Sequence, residues 1–103
     1  MKKPSLYDIC MNIAHIENGL AYGEISFSFD NLMSAIKPGH PADILDDIFC
    51  DVGNALLNDK NAVFPRERLE LMLSQLKGFK ECFGVKELKK PISDLEKYLE
   101  SLK

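Results

Sequence analysis

PADILDDIFCDVGNALL, residues 41–57, carries two patterns at once: apolar residues recur at helical spacing, and four aspartates fall between them. On a wheel of about 100° per residue, Ile44, Leu45, Ile48, Phe49, Val52, Ala55 and Leu56 occupy one arc of roughly 140°, wide enough to be the core face of a helix. Asp43, Asp47 and Asp51 form an i, i+4, i+8 row on the opposite side, with Asp46 beside them and Cys50 and Asn54 in the same polar arc. The preceding KPGHP cannot continue a helix, and Pro41 suits the first helical position because its missing N–H would have no partner there anyway.

Working outward, the same spacing recurs along the chain. Leu6, Ile9, Cys10, Ile13, Ile16 and Leu20 step by three and four, with Ser5 as cap and Asn18–Gly19 as stop. EISFSFDNLMSAI begins with two-residue alternation at Ile25, Phe27 and Phe29. It then changes to helical spacing through Leu32, Met33 and Ile36, predicting a helix capped by Ser26 or Ser28 with a short extended lead-in. Pro65 opens a further helix with Leu69, Met72, Leu73, Leu76, Phe79 and Phe83 on one face, and Gly84 closes it. Pro91 opens the last, through Leu95, Tyr98, Leu99 and Leu102. The expected fold is all-α: residues 1–103 as one antiparallel bundle of four to five helices joined by short connections.

Composition narrows the function classes. Apolar residues are 46% and charged residues 28% of the 103, so disordered and fibrous classes are disfavoured. No apolar run approaches the roughly 20 residues of a membrane span, and MKKPSLYDIC lacks the apolar core of a signal peptide. A cytoplasmic protein with no membrane partner is the expectation. Three cysteines, Cys10, Cys50 and Cys82, make no disulfide framework, and neither they nor His15 and His40 fall at metal-ligand spacing. No metal or cofactor is expected.

Chemistry-bearing motifs are sparse. Asp8, Asn12 and His15 share a helix face, but no nucleophile or oxyanion donor accompanies them, and no phosphate-cradling glycine loop occurs. A non-enzyme is expected. Leu71, Gln75, Gly78 and Cys82 form a narrow second stripe, where a mid-helix glycine predicts close approach by another helix, chiefly within the chain. KELKK, 86–90, reads as a solvated loop.

Charge is the stronger lead. The net is −3 overall, but residues 1–59 hold three lysines and nine carboxylates whereas residues 60–103 hold ten basic and seven acidic groups. Between Lys37 and Lys60 there is no basic residue. The helix dipole accounts for Asp43 and, to a lesser degree, Asp46, while Asp47 and Asp51 add like charges at i, i+4 that each cost a few tenths of a kcal/mol. A carboxylate row on a rigid helix resembles a row of phosphates, so its natural partner is a protein built to hold nucleic acid, and direct nucleic-acid binding by this face is disfavoured.

The succession GEISFSFDNLMSAI, ILDDIFCDVGN and PRERLELMLSQLKGF resembles the small helical immunity proteins of the colicin D type, and similar proteins serve contact-dependent growth inhibition systems. The resemblance spans roughly residues 5–80, and the chain departs from the family's pattern at Gly53 and in its last helix. It implies a protein that binds a cognate bacterial toxin, typically an RNase attacking tRNA, and masks its basic active site, with acidic contacts at Glu24, Asp47 and Asp51. Combined with the charge pattern, the expected partner-binding set is Glu24, Asp30, Asp43, Asp46, Asp47, Cys50, Asp51 and Asn54. The alternative is a helical adaptor or regulatory protein that docks a partner through an apolar groove beside Leu71 and Gly78.

Overall fold

The computed structural model describes residues 4–28 and 40–102, in which four α-helices and one 3-10 turn follow one another and no strand occurs. They are α1 (Leu6–Ala21), α2 (Pro41–Asn58), α3 (Arg66–Phe83), the turn Lys86–Leu88 and α4 (Lys89–Ser101). The all-α fold is therefore the one expected. The helix expected after Ser28, and with it Asp30, lies outside the described residues.

Local chemistry sets most of the boundaries. Ser5 Oγ accepts the Asp8 N–H at 3.1 Å while Asp8 Oδ2 accepts the Ser5 N–H at 3.2 Å, a reciprocal cap that satisfies two donors at the start of α1. His40 caps α2 by accepting the Ala42 N–H on Nδ1 at 3.0 Å, with Pro41 at the first helical position as expected. α3 begins one residue later than expected, with Pro65 as its cap. Gly84 ends it at φ +62°, the left-handed conformation that glycine adopts without steric cost.

Two further boundaries differ from the expectation. α1 does not stop at Asn18–Gly19 but runs through Ala21, and the chain turns at Gly23, φ +75°. Gly19 is instead a contact position. Its carbonyl accepts the N–H groups of both Glu24 and Ile25, and a Cβ there would lie 2.5 Å from Ile25 Cδ1. The returning strand-like segment keeps the expected alternation, Ile25 and Phe27 half-buried and Ser26 and Ser28 exposed. Nor is KELKK a solvated loop: Leu88 is fully buried, which winds 86–88 into a 3-10 turn and starts α4 two residues before Pro91.

α1 and α2 are antiparallel, since Lys60, just past α2, stacks over the Tyr7 ring near the start of α1, while Glu17 meets Asp46 and Asp43 near the other end. α3 and α4 are antiparallel too: Arg66 Nη1 donates to the Leu99 carbonyl at 2.8 Å, and Lys77 pairs with Glu96 at 3.0 Å. One apolar cluster joins all four helices, with Cys10, Leu45, Val52, Met72, Phe79, Phe83 and Leu95 fully buried. The apolar arc of α2 faces it as expected, Ala55 alone being only half-buried.

Candidate functional site

The polar arc of α2 divides into two chemically different parts. At one side Asp51 is taken up by the fold: Arg68, from the first turn of α3, donates through Nε to Asp51 Oδ2 at 2.9 Å and through Nη2 to Oδ1. Nη2 also reaches the Ile48 carbonyl at 3.1 Å. This fork holds the Asp51 carboxyl below the ordinary carboxylate range, mainly through the Arg68 hydrogen bonds, and raises the Arg68 guanidinium in turn. The expectation that Asp51 is uncompensated is therefore corrected: its counter-charge comes from the next helix, seventeen residues along the chain. Asp47 is exposed and has an interaction of its own, so it too is not a bare charge.

On the other side α2 meets α1. Asp46, Cys50 and Asn54 line a groove of about 140 Å³ together with Phe49, Gly53 and Leu57 of α2 and Met11, Ala14 and Glu17 of α1. Glu17 was not among the expected site residues. Its carboxyl is pushed up to about 7, first by burial, then by the charge of Asp46, by a hydrogen bond with the Asp46 carboxyl, and by the charge of Asp43. Among the described residues no lysine or arginine pairs with Glu17, Asp43 or Asp46. Leu57, at the lip of the same groove, is 61% exposed.

The structure thus brings Asp46, Cys50 and Asn54 together, adds Glu17, places Asp43 beside them, and turns Asp51 away. Cys50, on the polar arc of α2, is half-buried in the groove wall. Glu24 is exposed in the turn after α1, with no ion pair among the described residues.

The chain matches no protein-family model, no curated protein and no solved structure. Its own geometry carries the functional reading.

The remaining constellations lose chemical content. Asp8 is engaged in the α1 cap and no hydrogen bond joins it to Asn12 or the exposed His15. Among the described residues no group of three His, Cys, Asp or Glu could hold a metal ion, and no helix is long and apolar enough to cross a membrane. Gly78 is exposed, with nothing within 4 Å of the position a Cβ would take, so the close approach expected there is not made. Leu71, in the same stripe, is 53% exposed.

Proposed function

We propose that this chain is a non-enzymatic binding protein of the immunity type, which neutralises a basic nuclease toxin by covering it with the α1–α2 face. The observation that carries this reading is the set Glu17, Asp43 and Asp46, three carboxyl groups gathered from two helices with no lysine or arginine among the described residues paired with them. Like charges held together without a counter-ion weaken the free protein, and a partner that supplies lysines or arginines recovers that loss on binding. An apolar side chain at the groove's lip, Leu57, adds area that association would remove from water. The resemblance to colicin D type immunity proteins supplies the class of partner, a tRNA-cleaving domain whose substrate site is lined by positive charge.

The test is growth rescue. Co-expressed with a basic tRNA-cleaving toxin domain as its cognate partner, the chain is expected to restore growth, and Asp43→Lys/Asp46→Lys to lower affinity for that domain by about a hundredfold, two close charge pairs each being worth more than tenfold. Unchanged affinity in a variant with native helical circular dichroism rules out this face. A second reading, a helical adaptor, is favoured by the exposed Leu71 beside Gly78 on α3. It predicts binding that is insensitive to salt and abolished by Leu71→Glu.

A further inference from the structure

We infer that the α1–α2 groove is the socket for one arginine side chain of the basic protein partner, its stem laid on Met11, Phe49 and Leu57 and its guanidinium set between Glu17 and Asp46. The inference rests on the binding function proposed above and names the chemistry of its central contact.

Size selects the occupant first. About 140 Å³ is well below the range of roughly 300–1,000 Å³ typical of small-molecule sites, and suits a single side chain. The lining selects its character. The floor and one lip are apolar, contributed by Met11, Ala14, Phe49, Gly53 and Leu57, which fits an aliphatic stem. Gly53 is buried and contributes no side chain, so the groove keeps its depth there.

The polar end selects the head group. Glu17 from α1 and Asp46 from α2 line the same groove, where burial and the neighbouring Asp46 make the Glu17 carboxyl hold its proton more tightly. A guanidinium replaces that proton with a planar fork that donates to both carboxylates at once. An ammonium offers only a point charge to two acceptors on different helices. The charged groups acting on Glu17 are Asp46 and Asp43, both from α2, and Cys50 is the other titratable side chain of the groove wall.

The experiment uses the full chain and N-butylguanidinium as the probe, followed by amide chemical shifts at about pH 8, where Glu17 is ionised. Shifts are expected at Met11, Glu17, Gly53 and Asn54, with affinity about tenfold lower in Glu17→Gln and about threefold lower in Leu57→Ser, in proportion to a lost charged hydrogen bond and lost apolar cover. Affinity is expected to fall again at about pH 5.5 in the parent chain but not in Glu17→Gln. The uncharged isostere N-butylurea is expected to leave these shifts unmoved. Equal shifts from N-butylurea, equal affinity in Glu17→Gln, or shifts confined to Asp47 and Asp51 overturn the socket. A better response to calcium chloride than to N-butylguanidinium overturns it in favour of a cation site. Because the probe requires no toxin, failure of growth rescue overturns the immunity reading alone. Rescue by a Glu17→Gln/Leu57→Ser chain at undiminished affinity overturns the socket alone.

Discussion

Glu17 sits in the row Cys10, Ile13, Glu17, Leu20, whose other members are buried apolar residues of α1. A carboxylate in a row otherwise reserved for the core is the one sequence signal that could have found it. What the sequence could not supply is its partner, since Asp43 and Asp46 lie 26 and 29 positions along and only the α1–α2 packing brings them near. The consequence for stability has a definite sign. A carboxyl whose folded pKa is raised binds its proton more tightly in the native state, so its contribution is greatest at acid pH and is lost as pH rises from about 4.5 toward about 7. Glu17→Gln is expected to match the parent near pH 4 and to exceed it at pH 8, on the order of 1 kcal/mol after solvent screening, in urea melts at the two pH values. Asp51 has the opposite sign: its lowered pKa gives stability that is present above the ordinary carboxylate range and lost as pH falls through it. Asp51→Ala is expected to cost about 1 kcal/mol at pH 7, with the loss shrinking as pH falls through and below the ordinary carboxylate range. Cys10 is fully buried and its thiol is pushed up to about 11, first by burial and then by the charge of Asp51. In the native protein Cys50 and Cys82 are expected to alkylate while Cys10 waits for unfolding, a difference that mass spectrometry of iodoacetamide-treated protein resolves.

Within single elements, the glycines of α3 separate two physical roles that look alike in sequence. Gly84 adopts φ +62°, and a Cβ there would also meet Ser28 Oγ at 3.1 Å. Gly78 is exposed within the helix, and among the described residues no atom of another segment lies within 4 Å of the position a Cβ would take. Gly84→Ala is expected to destabilise by about 1 kcal/mol, and Gly78→Ala to stabilise by roughly 0.5–1 kcal/mol through helix propensity, both read from thermal melts. The same contrast explains what could be read without coordinates. Ser5, Pro41, Pro65 and Gly84 act through their own backbone or side-chain chemistry, so helix ends near them were legible. Gly19 and Leu88 act through contacts with distant segments. Ile25 folding over Gly19 let α1 continue past an Asn–Gly pair, and burial of Leu88 wound a lysine-rich stretch into the bundle. The acidic site was legible in part for the same reason: the α2 wheel placed Asp46, Cys50 and Asn54 on one face, whereas the Asp51–Arg68 fork is a tertiary pairing that no periodicity announces.

At the scale of the whole molecule, the charge asymmetry of the chain becomes an asymmetry in space, because the α1–α2 groove is lined by carboxylates and the surface of the turn and α4 by lysines. Lys86, Lys89, Lys90 and Lys97 line that second surface, partly answered by Glu87 and by Asp94, which Lys90 meets at 3.2 Å. The α1–α2 side carries Glu17, Asp43 and Asp46, to which no lysine or arginine among the described residues is paired. A basic partner approaching at random therefore meets a field with a direction, and the effect of a charge change should depend on where it is made rather than on the net charge alone. Asp43→Lys/Asp46→Lys and Lys89→Glu/Lys97→Glu alter the net charge by the same amount in opposite senses, which separates the two cases. The first is expected to slow association with the toxin domain by about tenfold or more in stopped-flow measurements at low salt, and the second to speed it by less than about threefold, since its charges lie outside the α1–α2 groove. Raising sodium chloride from about 0.05 to 0.5 M is expected to compress both effects while leaving dissociation of the parent complex nearly constant. Rate changes of equal size from the two variants would mean that net charge alone steers the encounter and that the α1–α2 face has no special place in it.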